Sequence, residues 1–268
     1  MVLTNAVGFF PNLGAHRSLL KNLVIRDLKR RYVGSAGGFL WSFIHPLVLL
    51  VSYTFIFGIV FKQRLGPEDG TESFPIYLFC GILPWLTFSD SLLRSCTVIS
   101  DNATLVTKTA IPSELLPMSV TLSSLFHHLI GLGILLIVLV ASGAVHPTTL
   151  WILLYLPFLL VLTQGFAWLV SSLNVFFRDT VQILQVLMIF WFWFTPILYS
   201  VERIPPGFAS VIALNPMSTV VVGYRSALLG TAAPSVTQLL TLSVWTGLVF
   251  FAGAILFNQT KSAFADVL

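Results

Sequence analysis

Residues 115–147 read LLPMSVTLSSLFHHLIGLGILLIVLVASGAVHP, and this stretch decides the class of fold. No Asp, Glu, Lys or Arg occurs from Leu115 to Phe177, a run of 63 residues. A helix crosses the hydrocarbon core of a bilayer in about 20 apolar residues, so the run is long enough for two crossings. The turn-forming stretch SGAVHP at 142–147 lies between them. We therefore predict membrane-spanning helices at about 115–142 and 150–174.

The composition of the whole chain agrees with this interpretation. Of its 268 residues, 56% are apolar and only 9% are charged. Soluble domains carry about 25% charged residues, so this chain has too few to cover a water-facing surface. Membrane β-barrels show short segments of alternating hydrophobicity, whereas uncharged runs longer than 20 residues recur here. The predicted fold class is an all-α integral membrane protein.

The same reasoning predicts six transmembrane helices in all. The four others lie at about 38–61, 75–97, 181–200 and 236–258. Residues 201–234 are also apolar, but proline and glycine cut them into pieces too short to cross about 30 Å of hydrocarbon. We predict two short re-entrant helices there, because broken backbone at membrane depth needs protein or a water-filled cavity around it.

The distribution of positive charge predicts the orientation. Residues 16–32, HRSLLKNLVIRDLKRRY, hold six of the fourteen Lys and Arg residues. Leucines at helical spacing predict an interface helix at 17–32 that lies on an anionic leaflet, with a simple basic anchor as the alternative. Its cations nearest the first span are Arg26, Lys29, Arg30 and Arg31. Ten Lys and Arg residues fall on the side of the termini and four on the other, which predicts cytoplasmic termini.

Few side chains within the spans could carry chemistry. Asp90 and Arg94 share one helix face, which predicts an ion pair that is either structural or switches during gating. His127 and His128 are adjacent and so point in different directions, which favours hydrogen bonds between helices over metal binding. The other five spans contain no Asp or Glu, so coupling to protons or sodium is not favoured.

The sequence contains no G-x-x-x-x-G-K-[ST] phosphate loop, so the chain cannot bind ATP in that familiar way. Two cytoplasmic connectors, at 105–117 and 174–179, look suited to docking a partner instead. Exposed aromatic residues beside charges are typical of such anchors. The alternative of ordinary interfacial residues stays open. The candidate docking residues are Thr107, Lys108, Ile111, Pro112, Phe176, Phe177, Arg178 and Asp179.

Six landmarks, in this order and spacing, give the chain a family resemblance over about residues 20–260. They are RDLKRRYVGSAGGFLWSFIHP (26–46), GILPWLTFSDSL (81–92), LVTKTAIPSELLP (105–117), LNVFFRD (173–179), FWFTPILYS (192–200) and IPPGF…LNPMSTVVVGYRSALL (204–229). The chain resembles the membrane-spanning subunit of bacterial polysaccharide ABC exporters, of the O-antigen and teichoic-acid type. Residues 1–15 lie outside the resemblance.

The resemblance implies a fold, partners and a function. It implies six spans with a cytoplasmic interface helix and two outward re-entrant helices, in a homodimer with two copies of a separate ABC ATPase. ATP and Mg would bind that ATPase, and no cofactor or metal is expected on this chain. Coupling segments map to about 98–113 and 174–180. The expected activity is export of a lipid-linked polysaccharide across the inner membrane, with no enzymatic step on this chain and no nucleic-acid partner.

Five consecutive aromatic residues lie in IFWFWFTPILYS, residues 189–200. Sugar rings pack their C–H faces on aromatic planes, so such rings could give a moving polymer weak, repeated contacts. One stripe would hold Phe190, Trp193, Phe194 and Ile197, and another Trp191, Thr195 and Leu198. The predicted channel residues are Trp41, Trp85, Phe190, Trp191, Trp193 and Phe194, with Glu202, Arg203 and Arg225 near the exit. The alternative is that all five rings serve packing and the interfacial belt.

Two other functions stay open on the sequence. One is an efflux permease of the same architecture for drugs or small lipids. The other is a membrane-embedded glycan-modifying enzyme, which would need clustered catalytic acids or histidines, whereas only scattered ones occur.

Overall fold

The computed structural model describes residues 16–62, 65–66, 69–108 and 111–268, except for the side chains at 203, 206 and 209. Within these residues all regular structure is helical, which confirms the predicted fold class. The helices are α1 (Arg17–Arg30), α2 (Trp41–Tyr53), α3 (Phe74–Thr97), α4 (Ala103–Lys108), α5 (Leu115–Ala141), α6 (Ile152–Phe176), α7 (Thr180–Trp193), α8 (Pro206–Leu214), α9 (Pro216–Leu229), α10 (Val236–Thr260) and α11 (Phe264–Val267).

Five helical segments of the described chain are long and apolar enough to cross a membrane. They are Gly38–Val60, Phe74–Thr97, Leu115–Ala141, Pro147–Phe176 and Val236–Val267. In the first of these segments, a 3-10 turn precedes α2 and a π-helical segment, Thr54–Val60, follows it. The apolar side chains of this first segment are mostly exposed, as expected where lipid or another chain surrounds a helix.

The fifth predicted span is shorter than expected. We predicted 181–200, but α7 ends at Trp193 and has 14 residues, a length of about 21 Å at 1.5 Å per residue. Pro196 explains the end, because proline disfavours helical backbone at the residue before it and has no N–H to continue the helix. The Thr195 hydroxyl instead donates to the carbonyl of Trp191 (2.8 Å).

Helix α3 forms the centre of the bundle. It packs against α5, α6 and α9, and most of its side chains are buried, including the small residues Cys80, Gly81 and Ser91. Small side chains let neighbouring helices approach closely in a membrane, where apolar burial alone does not bring helices together. Helices α5, α6 and α9 are therefore positioned relative to α3.

Helices α6 and α10 make the most extensive helix–helix contact among the described residues. Their backbones meet at two glycines. A Cβ at Gly165 would lie 2.7 Å from the backbone of Phe250, and one at Gly253 would lie 2.2 Å from the carbonyl oxygen of Gly165. Only glycine fits at these two positions, which explains why the helices can pack backbone to backbone.

The helices α8 and α9 form a hairpin within the predicted re-entrant region. Both are too short to span about 30 Å. The tip of the hairpin is Asn215, whose side chain caps α9 at Met217 N (3.0 Å) and accepts a hydrogen bond from Trp191 Nε1 (2.8 Å). The hairpin ends at Gly230, which has φ of 75° and packs so closely against His146 that a side chain would collide.

A second, smaller core cluster shows which segments share one end of the molecule. It joins Leu23 of α1, Ile99 after α3, Leu116 of α5, Phe257 of α10 and Phe264 of α11. The first and last described helices therefore lie at the same end. We call this end, with the connectors at 98–114 and 177–179, the connector end.

Candidate coupling surface and substrate path

The first predicted docking connector follows α3. Helix α4 ends at Lys108, whose side chain is exposed, and the hydroxyl of Thr107 donates to the carbonyl of Ala103 (2.9 Å) within the helix. Ile111 and Pro112 are half-buried. Residues 109–110 of the predicted coupling segment lie outside the described residues.

The second predicted connector presents side chains outward. Phe177 is 65% exposed, and Arg178 and Asp179 are exposed as well. Within the described residues, neither of these two charges takes part in an ion pair. The neighbouring Phe176 is 38% exposed and packs on one side against Phe264, with 6.1 Å between ring centroids.

The C-terminal helix α11 brings the two connectors onto one surface. It contacts α4 on one side and the end of α6 on the other, and Phe264 is fully buried between them. Nearby, Lys261 lies 3.3 Å from the buried carboxylate of Glu114. Sequence reasoning missed these three residues. Phe264 could have been noticed as the only aromatic residue in the tail at 259–268.

The predicted ion pair of Asp90 and Arg94 is present at 3.6 Å, but each group has a closer partner at the C-terminal end of α1. Arg31 lies 2.5 Å from Asp90, and Asp27 lies 2.5 Å from Arg94. The interface helix therefore directs Arg31 into the bundle, because the carboxylate of Asp90 attracts it. Lys29 and Arg30 remain exposed.

Two cavities meet at these ion pairs. The smaller, of about 260 Å³, is polar and includes Arg26 and Asn102 in its lining. The larger, of about 650 Å³, extends along α2 and α3 and includes Trp41 and His127 in its lining. Arg31 and Arg94 line both, so the ion pairs form the wall between the two cavities.

Of the two adjacent histidines, His128 bonds to two other helices, as predicted, and His127 bonds to the turn after α1. His128 Nδ1 lies 2.8 Å from the hydroxyl of Thr87 on α3, and its Nε2 lies 3.1 Å from the hydroxyl of Tyr224 on α9. His127 Nε2 is hydrogen-bonded to the hydroxyl of Tyr32. The pair thus joins α5 to its neighbours on two sides.

The aromatic run divides into an exposed and a packed set. Phe190, Trp193 and Phe194 are 61%, 59% and 51% exposed and form one face of α7 and of the turn after it. Ile197, which we placed in the same stripe, is buried instead, because the chain leaves the helix after Trp193. Trp191 of the other stripe packs edge-on against Phe88 and Phe166.

The two remaining predicted channel tryptophans differ in exposure. Trp41 is half-exposed at the larger cavity. Trp85 is buried inside the bundle, where it packs on Phe88 and Phe192, so it lines no open surface of the single chain.

A third cavity, of about 390 Å³, adjoins the exposed aromatic face. It includes Trp193, Phe194, Tyr199 and Phe208 in its lining. The hydroxyl of Tyr199 donates to the carbonyl of Trp193 (2.8 Å). This cavity is mainly apolar and aromatic.

Arg225, which we predicted near the exit, is buried. Its guanidinium donates to the carbonyl of Tyr77 (3.2 Å), to the hydroxyl of Tyr77 (3.0 Å) and to the carbonyls of Pro196 and Ile197. It also lies 3.7 Å from the centroid of the Tyr77 ring, close enough for a cation–π contact. Gly81 leaves the room, since a Cβ there would lie 2.7 Å from the guanidinium. A cation at membrane depth needs such acceptors, which bind it inside the protein.

The other two predicted exit residues lie in the short 3-10 turn Val201–Arg203. Glu202 is exposed. The side chain of Arg203 lies outside the described residues.

Comparison with known proteins finds similarity over nearly the whole chain. The O-antigen export system permease protein RfbA of Myxococcus xanthus is 32% identical over 257 residues, which cover 94% of this chain and 95% of that protein. A protein of the same name from Klebsiella pneumoniae is 28% identical and covers 96% and 97%. The polysialic acid transport protein KpsM of Escherichia coli is 24% identical and covers 90% and 93%.

The match to the ABC-2 type transporter family covers residues 18–229, from the interface helix to the end of α9. This range contains the ion pairs of α1, both predicted connectors, the aromatic run and the re-entrant hairpin. It leaves out α10 and α11, which complete the bundle around α6 and the connector end. The chain belongs to the ABC-2 type transporter family and is a multi-pass membrane protein of a transport system.

Proposed function

We propose that this chain is the membrane-spanning subunit of an ATP-driven exporter that moves a lipid-linked, O-antigen-like polysaccharide from the cytoplasm across the bacterial inner membrane. The similarity over 94–96% of the chain to permeases named for O-antigen export carries this proposal. A more distant relative is named for transport of polysialic acid, which is also a polysaccharide.

Energy would come from a separate ABC ATPase, two copies of which would bind two copies of this chain at the cytoplasmic connector end. The absence of a phosphate loop from the sequence supports a separate subunit. The common surface of the two connectors supports joint docking, because Phe264 contacts the second connector and α11 contacts the first. A displacement of either connector would then reach the other through α11.

The path would lie between two copies and would be lined in part by the exposed aromatic face of α7. Phe190, Trp193 and Phe194 offer flat rings that a sugar polymer can slide past, since stacking tolerates many ring sequences. Trp191 supports this face from behind, held by its bond to Asn215 and by Phe88 and Phe166.

The test is depletion of the gene in its host, followed by mass spectrometry of the lipid-linked glycans in the cell and quantification of surface glycan. We expect a lipid-linked polymer to accumulate while surface glycan falls. No accumulation, together with a new sensitivity to small apolar toxic compounds, would favour the efflux function instead.

The docking role is tested by complementing the depleted strain. Wild-type protein should restore export, whereas Arg178→Ala combined with Asp179→Ala should leave ATP hydrolysis uncoupled from export. Glu72→Ala is the matched control, because this exposed carboxylate lies just before α3, at the end opposite the connectors. Full export by the double variant would contradict docking through 177–179.

A further inference from the structure

Three polar contacts join the interface helix α1 to α3 and to the connector behind it. They are Arg26 to Asn102 (3.0 Å), Asp27 to Arg94 (2.5 Å) and Arg31 to Asp90 (2.5 Å). Residues that come later in α1 contact residues that come earlier in α3 and its connector. The two segments are therefore tied at three points along an antiparallel alignment.

A third helix takes part in the same contacts. The hydroxyl of Ser124 on α5 donates to Asp90 (2.5 Å) and accepts from Arg31 (3.1 Å). Helix α1 also packs against α5, with Leu23 buried between them. We call the four charged residues Asp27, Arg31, Asp90 and Arg94, with Ser124, the charge clasp. Its side chains are partly buried, so salt screens them less than exposed pairs.

The charge clasp satisfies only one alignment of α1 along α3. On each helix an acidic residue is followed four positions later by an arginine, so the two charges share one face. A slip of one turn, about 5.4 Å, would place Arg31 opposite Arg94, or Asp27 opposite Asp90. In both slipped alignments two like charges face each other, and another charged residue faces an apolar residue. The clasp therefore resists sliding of α1 past α3.

We propose that the charge clasp makes the interface helix a transmission element, so that α1, α3 and the connector at 98–108 move as one body when the ATPase displaces that connector. This inference rests on the proposed function. The four charged residues are positioning residues that need not touch the substrate. Arg31 and Arg94 also form the wall between the two cavities. Movement of the clasp would therefore displace that wall.

The experiment measures glycan exported per ATP hydrolysed by vesicles that contain the chain and its ATPase partner. Single reversals, Asp90→Arg or Arg31→Asp, should lower this ratio by roughly 2- to 30-fold, the range reported for residues that carry coupling. Glu72→Lys is the matched control, since this exposed carboxylate lies just before α3, outside the clasp, and its reversal should leave the ratio unchanged. Copurification of the ATPase shows that each variant assembles.

Exchanging the charges of Arg31 and Asp90 tests whether the clasp fixes the alignment of α1 along α3 or only attracts the two helices to each other. Arg31→Asp with Asp90→Arg keeps two attractive pairs in the native alignment, but it also makes the slipped alignment attractive, because residue 31 could then pair with Arg94. We expect this exchange to assemble with the ATPase but not to restore the export ratio. Reversing all four charges restores the alternation and should also restore the ratio. If the fourfold variant does not assemble, Asp90→Asn and Arg94→Gln serve instead, and each should lower the ratio in an assembled complex.

The outcomes distinguish a failure of the charge clasp as a transmission element from a failure of the proposed function. A normal ratio in the single reversals, or full recovery by the one-pair exchange, would overturn the clasp as a transmission element and leave the proposed function standing. A wild-type complex that hydrolyses ATP and moves no glycan would overturn the proposed function and this inference with it.

Discussion

Replacing Gly165 with alanine should separate α6 from α10. The added Cβ would lie 2.7 Å from Cα and N of Phe250, about 0.7 Å closer than the ordinary contact distance, which begins at 3.4 Å. The atoms it meets are backbone, so no side chain can rotate away, and the helices must move apart. Overpacking of this kind costs about 1–3 kcal/mol.

The matched control is Gly247→Ala on α10, where an added Cβ meets nothing within 4 Å. Alanine favours a helix over glycine by about 1 kcal/mol, and both variants receive this gain, so their difference reports the packing clash alone. For a chain of this size, 1 kcal/mol shifts the melting temperature by about 2–4 °C. We expect Gly165→Ala to melt about 2–12 °C below Gly247→Ala.

The assay is tryptophan fluorescence during heating of the purified protein in detergent, with both variants prepared in parallel. Equal melting temperatures for the two variants would refute the reasoning, because they would show that α6 and α10 do not meet backbone to backbone at Gly165.

Three further predictions follow from buried contacts. Arg225→Gln should lower the free energy of unfolding by about 2 kcal/mol or more, and with it the melting temperature, since it leaves buried carbonyls without a donor. Arg225→Lys should recover only part of that stability, because one ammonium cannot reach all the acceptors. Tyr224→Phe should cost about 1 kcal/mol in the wild type but little in a His128→Leu background, and equal costs in the two backgrounds would count against their hydrogen bond. A membrane-permeable maleimide should label neither Cys80 nor Cys96 in the folded protein and both after unfolding in SDS, since both are fully buried; rapid labelling of the native chain would disagree with the packing of α3.

Hydropathy predicted five of the six spans close to their observed positions because the requirement for membrane length is strong, whereas the remaining one, α7, is too short to cross about 30 Å. The structure places α5 at Leu115–Ala141, close to the predicted 115–142, since no charge or proline interrupts that stretch after its first turn. The end of α7 was predicted too late. The apolar composition continues through residue 200, whereas the backbone is stopped at Trp193 by the proline three residues later.

The partners of charged residues were harder to predict than the helices. Asp90 and Arg94 are near in sequence, so their pairing could be inferred, but their closer partners come from α1, more than 50 residues away in the chain. The matching four-residue spacing of Asp27 and Arg31 was the available indication. The burial of Arg225 could not be predicted for a related reason: most of its acceptors are backbone carbonyls, which composition does not reveal.

The burial of Arg225 has a consequence for how the protein is made. Its acceptors at Tyr77 and Ile197 precede it by 148 and 28 residues, so the ribosome delivers them to the membrane before the cation that joins them. A nascent chain that stops before α9 would already possess both connectors and the aromatic face, yet it would lack the group that ties α3 to the turn after α7. The contact between α3 and the turn after α7 is therefore completed only once α9 has been synthesised.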